Sequence, residues 1–141
     1  MKTDKKIIHI VFIEDYQLIR SAVSSYINTL DDIKIIAQAE NAEDGLHYVT
    51  EYKPDLVLMD LGLPKMNGIE ATRKIKESNP DIKVIILTSQ ESDESVIAAL
   101  GAGANAYCLK SITTDKLVDV IRTVMDGAAW LDPKIDRKSV V

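Results

Sequence analysis

Short apolar segments of strand length alternate along the chain with segments in which apolar residues recur every three or four positions. The first apolar segment is IIHIVFI at residues 7–13. Residues with helical spacing follow it: Ile19, Ala22, Val23, Tyr26, Ile27 and Leu30. This pattern predicts a strand followed by a helix that buries one face.

The same pair of elements recurs four more times. Further strands are predicted at IKIIAQA, LVLMD, KVIILT and AYCL. Further helices are predicted near residues 42–52, 68–78 and 93–102, and around Leu117, Val120, Ile121 and Val124. The third and fourth strands are apolar throughout, as in parallel strands covered on both faces. Five strands alternating with five helices predict an α/β fold with a doubly wound, five-stranded parallel sheet.

The length and the last residues bound the domain organisation. A chain of 141 residues is long enough for one compact domain with its own core. We predict that residues 1–128 form this domain. The final stretch, LDPKIDRKSVV, is polar and lacks periodicity, so residues 129–141 are predicted to be a tail or the start of an interdomain linker.

Charge and cysteine content narrow the classes of function. The 17 basic and 22 acidic residues give a formal net charge of −5, so direct binding of nucleic acid by this chain is not expected. Cys108 is the single cysteine, which excludes an internal disulfide and fits a reducing, cytoplasmic setting. No segment approaches the roughly 20 apolar residues of a membrane span, so no contact with a membrane is expected.

Polar residues stand where the predicted strands end, which is where ligands bind in a doubly wound sheet. These residues are Glu14 and Asp15 after the first strand, Asp60 after the third, Thr88 after the fourth and Lys110 after the fifth. An ionised carboxylate such as Asp60, directly after the buried run LVLM, is costly unless something compensates it. Asp60 is therefore either a helix cap or part of a site.

Three converging carboxylates repel one another, and Lys110 alone supplies too little positive charge. A hard divalent cation would compensate them, and Mg²⁺ is the best candidate because it prefers oxygen ligands, with Asp15 and Asp60 bound directly. A carboxylate beside a cation, an ammonium and a hydroxyl is suited to attack phosphorus. We therefore predict that Asp60 forms an aspartyl phosphate.

From about Ile7 to Leu131 the chain resembles the receiver domain of two-component response regulators. The resemblance is carried by the residues at the strand ends and by DLGLPKMNGIEATRKIK, which is similar to the family's loop and third helix. It implies a flavodoxin-like, CheY-like fold in which Asp60 is the phosphoacceptor, assisted by Thr88 and Lys110. It also implies that Glu14, Asp15, Asp60 and the carbonyl of Gly62 form the metal site.

The resemblance further implies that Thr88 and Tyr107 form a switch that changes on activation. A sensor histidine kinase would donate the phosphoryl group, and the chain would catalyse only its own phosphorylation and dephosphorylation. Three positions depart from the common pattern. Leu63 stands where the family often has methionine, a conservative change of packing. Gly62 places no side chain beside the acyl phosphate, and Ser111 follows Lys110 where many members have proline.

The stretch from Ala99 to Leu131 is most similar to receivers of the NarL/FixJ class, which are joined to a LuxR-type helix-turn-helix. This subclass implies control of transcription, DNA binding only through an output domain outside this chain, and a possible homodimer on phosphorylation. A stand-alone receiver that signals through a protein partner is the alternative. A haloacid dehalogenase would need a second aspartate at the position of Gly62. A flavodoxin-like cofactor binder would not place two acids after the first strand.

Overall fold

The computed structural model describes residues 6–135. Its strands are β1 (Ile8–Ile13), β2 (Ile33–Ala39), β3 (Leu56–Met59), β4 (Lys83–Thr88), β5 (Ala106–Leu109) and β6 (Trp130–Leu131). Its helices are α1 (Gln17–Ile27), α2 (Ala42–Tyr52), α3 (Gly68–Ser78), α4 (Asp93–Gly101) and α5 (Thr114–Met125).

All strands pair in parallel in the order β2-β1-β3-β4-β5-β6. Successive residues of the central strands are buried on opposite faces. Val11 and Ile13 belong to the core that α2, α3 and α4 cover, whereas Ile10 and Phe12 belong to the core under α1 and α5. Burial on both faces explains why β3 is apolar throughout, and why residues 10–13 of β1 and 84–87 of β4 are also apolar without a break. The predicted doubly wound α/β fold is confirmed.

Side-chain caps begin four of the five described helices, and none of these caps comes from the acids at the strand ends. Asn41, Asn67, Ser92 and Thr113 cap α2, α3, α4 and α5 by accepting a backbone N–H three residues further on. Helix α1 begins after Tyr16 without a side-chain cap. Asp60 is therefore not the cap of α3, and its burial needs another explanation. Among residues 6–135, no helix has both the length and the apolar character needed to cross a bilayer.

The sheet has a sixth strand that the sequence analysis assigned to the tail. Trp130 and Leu131 pair with Ala106 and Tyr107 of β5, and Ile135 is fully buried. The tail prediction therefore needs correction for residues 130–135, and its remaining positions, 136–141, lie outside the described residues. The pattern was missed because two paired residues are too few to show a strand period, and Asp132 is buried despite its charge.

Cys108 lies in β5 and is fully buried, so its thiol should be unreactive in the folded protein. Burial, with a smaller effect from the charge of Asp132, raises the pKa of this thiol to about 12. The reactive form is the thiolate, and the ordinary pKa of a cysteine thiol is about 8.5. The higher pKa by itself therefore lowers the thiolate fraction at pH 8, and with it the reaction rate, about a thousandfold. We expect a thiol reagent such as DTNB to label Cys108 at that pH only after unfolding in urea. Rapid labelling without urea would contradict the buried position.

Candidate functional site

The carboxyl ends of β1 and β3 meet where the order of strands in the sheet reverses. From β1 the chain passes outward to β2, and it then returns to β3 on the other side of β1. Ile13 pairs with Met59, and the N–H of Asp60 donates to the carbonyl of Ile13 at 3.0 Å. This register brings three acids together, because one carboxylate oxygen each from Glu14, Asp15 and Asp60 lies within 4.8 Å of the others. Ligands bind at such reversal points in open α/β sheets.

Among residues 6–135, one ammonium group contacts two of these three carboxylates. Lys110 follows β5, and its Nζ lies 2.8 Å from Oε1 of Glu14 and 3.2 Å from Oδ2 of Asp60. Burial lowers the pKa of Lys110, but the hydrogen bond to Glu14 and the charge of Asp60 outweigh burial, and the pKa lies above its usual value. Lys110 is therefore charged, yet it balances only one of the negative charges.

Glu14 is committed to neighbouring groups, whereas Asp15 faces solvent. Oε1 of Glu14 pairs with Lys110, and Oε2 accepts the N–H of Tyr16 at 3.0 Å. Burial raises the pKa of Glu14, and the charge of Asp60 adds to this rise. The hydrogen bonds from Lys110 and from the Tyr16 N–H partly offset it. Asp60 is also buried, and its Oδ1 accepts a long hydrogen bond, 3.3 Å, from the N–H of Gly62. The oxygens of Asp15 and Asp60 are thus the ones best placed to bind a cation.

The loop between β3 and α3 closes tightly over the backbone of Asp60. A Cβ atom on Gly68 would lie 2.2 Å from the carbonyl oxygen of Asp60, and the N–H of Gly68 donates to the carbonyl of Leu61 at 3.1 Å. Only glycine permits this approach. At Gly62 a Cβ atom would meet only the amide nitrogen of the Gln90 side chain, 3.7 Å away.

Thr88 and Tyr107 are connected through the backbone of Gln90. The hydroxyl oxygen of Thr88 accepts the N–H of Gln90 at 3.3 Å, and the hydroxyl of Tyr107 donates to the carbonyl of Gln90 at 2.8 Å. The Tyr107 side chain is fully buried, and burial raises the pKa of its hydroxyl to about 12, so the hydroxyl stays protonated and donates. The switch role of this pair stays a prediction.

The structure thus brings Glu14, Asp15, Asp60 and Lys110 into one cluster, with Gly62 directly beside it. The role predicted for the Gly62 carbonyl stays a prediction. The peptide bond between Lys110 and Ser111 is trans.

Sequence reasoning missed two residues near this site, Gln90 and Asp132. No residue pattern distinguishes Gln90, because it acts through its main chain. Asp132 carried a usable signal, since Asp followed by Pro133 is typical of a helix start, with the acid as the cap and proline in the first helical position. Its side chain accepts the N–H of Leu109 at 3.0 Å, next to Lys110.

The chain is similar to proteins of one signalling family. The response regulator protein VraR of Staphylococcus epidermidis is 36% identical over 128 residues, which are 91% of this chain and 61% of that protein. The transcriptional regulatory protein DegU of Brevibacillus brevis is also 36% identical over 128 residues, 91% of this chain and 54% of that protein. The chain therefore spans little more than half the length of these relatives.

A solved structure gives the same assignment. A two-component response regulator of the LuxR family from Aurantimonas superposes with a TM-score of 0.88 at 29% identity, covering 94% of each chain. The sequence model of the response regulator receiver domain matches residues 10–122, which include every residue of the acidic cluster and Lys110. The chain belongs to the response regulator receiver domain family.

Proposed function

We propose that Asp60 accepts a phosphoryl group from a sensor histidine kinase in a Mg²⁺-dependent reaction. The observation that carries the proposal is the environment of Asp60, a buried carboxylate that lies in one cluster with two other acids and contacts the Lys110 ammonium. A structural acid in a core would have its charge balanced, whereas this cluster has an excess of negative charge and an exposed member, Asp15.

The donor set fits Mg²⁺. All three acids offer oxygen, the ligand that this hard cation prefers, and three carboxylates against one ammonium favour an added dication. Asp15 and Asp60 would hold the ion directly, and Glu14 would act from its paired position beside Lys110. When bound, Mg²⁺ would neutralise charge on the transferred phosphoryl oxygens.

The residues of the chain itself supply the nucleophile and its surroundings. An oxygen of Asp60 attacks phosphorus, the bond from phosphorus to the donor's imidazole nitrogen breaks, and that nitrogen keeps the electron pair. Lys110, already 3.2 Å from Oδ2 of Asp60, would pair with the incoming phosphoryl oxygens, and the Thr88 hydroxyl would donate to one of them. Water attacking the same phosphorus later releases phosphate and restores Asp60. The chain is thus a phosphoacceptor and not an enzyme that turns over a separate substrate.

We further propose that this chain regulates transcription from the cytoplasm. The similarity to DegU, a transcriptional regulatory protein, and to a LuxR-family response regulator supports this output. DNA would then be bound by an output domain outside this chain, and phosphorylation would control that domain, with homodimer formation as one route.

Asp15 should be required for metal binding and for phosphorylation. We expect Asp15→Ala to lower Mg²⁺ affinity about 10- to 100-fold, because a hard cation loses one of its few protein ligands. Titration calorimetry with Mg²⁺, together with the Mg²⁺ dependence of labelling by acetyl phosphate, measures both effects.

Asp126→Ala is the matched control, because Asp126 is also exposed and caps the end of α5 instead of following a strand. It should bind Mg²⁺ and accept phosphate as the parent chain does. Unchanged Mg²⁺ affinity in Asp15→Ala would place the metal elsewhere. A parent chain that gains no phosphate from acetyl phosphate and Mg²⁺ would overturn the proposed function.

A further inference from the structure

Residues 130–135, here called the C-terminal strap, run along β5 toward Lys110. The N–H of Trp130 donates to the carbonyl of Asn105 at 3.2 Å, and the N–H of Asp132 donates to the carbonyl of Tyr107 at 2.9 Å. The strap lies beyond the residues that match the receiver family, which end at 122.

Asp132 continues the pairing where the strap stops being a strand. Strand β6 ends at Leu131, and the chain turns into helical residues from Pro133. Oδ2 of Asp132 accepts the N–H of Leu109 at 3.0 Å, and Oδ1 accepts the N–H of Lys134 at 3.1 Å. The carboxylate thus takes the place that a strand carbonyl would have beside Leu109. Because Asp132 is 5% exposed, water competes little for this hydrogen bond.

The Leu109 N–H directly precedes the lysine that contacts Asp60. On the other side of β5, the N–H of Lys110 donates to the carbonyl of Thr88 at 2.8 Å. The carbonyl of Leu109 accepts the N–H of Ile112 at 2.9 Å. The main chain at Lys110 is therefore held from β4, from the following turn and from Asp132. Of these three, the last comes from beyond residue 122, where the match to the receiver sequence model ends.

The strap is anchored on both sides of Asp132, so the carboxylate has a fixed position. Leu131 pairs with Tyr107, and Ile135 is fully buried in the core that α2, α3 and α4 cover. The Lys134 ammonium donates to the Ser111 hydroxyl at 2.9 Å, which ties the strap to the residue after Lys110. These contacts place the strap against both neighbours of Lys110.

We propose that Asp132 is a positioning residue of the phosphoacceptor site, which holds Lys110 in place through the Leu109 amide. The inference rests on the proposed function, because it assigns Lys110 a role in phosphoryl transfer to Asp60. Removing the carboxylate frees the Leu109 N–H and lets the end of β5 move, and the Lys110 ammonium moves with it.

The test measures the rate at which the full chain gains phosphate on Asp60 from acetyl phosphate at saturating Mg²⁺. We expect Asp132→Ala to slow labelling about tenfold or more, because small misplacements of a positioned group cost large factors in rate. Asp132 does not belong to the acidic cluster, so the metal ligands stay in place, and saturating Mg²⁺ removes any change in metal affinity from the comparison. Asp132→Asn should restore most of the rate, because its amide oxygen can accept the same N–H.

Asp55→Ala is the matched control for a merely structural effect. Oδ2 of Asp55 accepts the N–H of His9 at 2.9 Å, the same kind of carboxylate-to-strand bond at the amino end of β1, far from Lys110 along the strands. This variant should label at the parent rate even if it is less stable. In a Lys110→Ala background, Asp132→Ala should slow labelling no further, because the two residues act through one contact.

The outcomes separate the inference from the proposed function. If the parent chain does not label at Asp60, the proposed function fails before any variant is compared. If the parent chain labels and folded Asp132→Ala labels at the same rate, the inference is overturned and the proposed function stands. The same holds if Asp132→Ala slows labelling by the same factor in the Lys110→Ala background as in the parent.

If circular dichroism shows that Asp132→Ala does not fold, a second measurement on the parent chain tests the inference. Beryllofluoride, a phosphoryl mimic, should then slow hydrogen exchange at the parent's Leu109 amide more than at its His9 amide, since coupling is reciprocal. Equal changes at both amides would overturn the inference.

Discussion

Replacing Asp60 with asparagine is expected to abolish phosphorylation of this chain. The amide offers no ionised oxygen to attack phosphorus, and neither neighbouring acid can substitute. Glu14 is buried, and its carboxylate is held by Lys110 and the Tyr16 N–H. Asp15 is exposed, and the Lys110 ammonium contacts Glu14 and Asp60 and not Asp15. Intact-mass analysis after incubation with acetyl phosphate and Mg²⁺, followed by peptide mapping, measures the loss.

The fold of Asp60→Asn should be preserved, because asparagine has nearly the same shape and its amide oxygen can accept the N–H of Gly62. Circular dichroism checks this point. Asp126→Asn, at the opposite end of the strands, should gain phosphate like the parent. A phosphate adduct of parent size in Asp60→Asn would show that the acceptor is another residue.

Gly68→Ala is expected to destabilise the domain by about 2 kcal/mol or more, because overpacking typically costs about 1 to 3 kcal/mol and here the obstacle is a backbone atom. The new Cβ atom would lie 2.2 Å from the carbonyl oxygen of Asp60, which cannot move without moving β3. Alanine gains about 1 kcal/mol over glycine in a helix, so the clash must exceed this gain for the variant to be less stable. Urea denaturation followed by circular dichroism measures the difference.

Gly62→Ala is the control for Gly68→Ala, because it lies in the same loop. Its Cβ atom would meet only the end of the Gln90 side chain at 3.7 Å, an ordinary contact with a group that can rotate. We expect its free energy of unfolding to stay close to that of the parent. If Gly68→Ala were as stable as Gly62→Ala, the close approach of α3 to Asp60 would be wrong.

The fold and the acidic cluster could be predicted because their signals are local and repeated. The helices predicted near 42–52 and 68–78 have those bounds in the structure, since capping residues and apolar period agree there. Asp60 stood out because a charge after a buried strand has few explanations. The pairing register of β1 and β3 did not follow, because strands that are apolar on both faces show no alternation that a one-residue shift would disrupt.

The contribution of the last residues could not be predicted, because it depends on contacts between distant parts of the chain. Strand β6 has two residues, which are too few to show a sequence period. It is a strand because it pairs with β5. The link from Thr88 to Tyr107 runs through the main chain of Gln90, so no side-chain pattern records it. Periodicity reports how a segment is buried, and it carries no information about which distant residue completes a hydrogen bond.

The short β6 also determines how the sheet ends. Past its two residues, the outward N–H of Leu109 is taken by a side chain instead of another strand, so β5 offers no open row of donors and acceptors to a second molecule. Unpaired edge strands are sites of aggregation, and very short edge strands blunt that hazard. A receiver cut at residue 128 would expose β5 as such an edge. Fusions that transplant this domain onto other effectors should therefore keep the chain through at least residue 135.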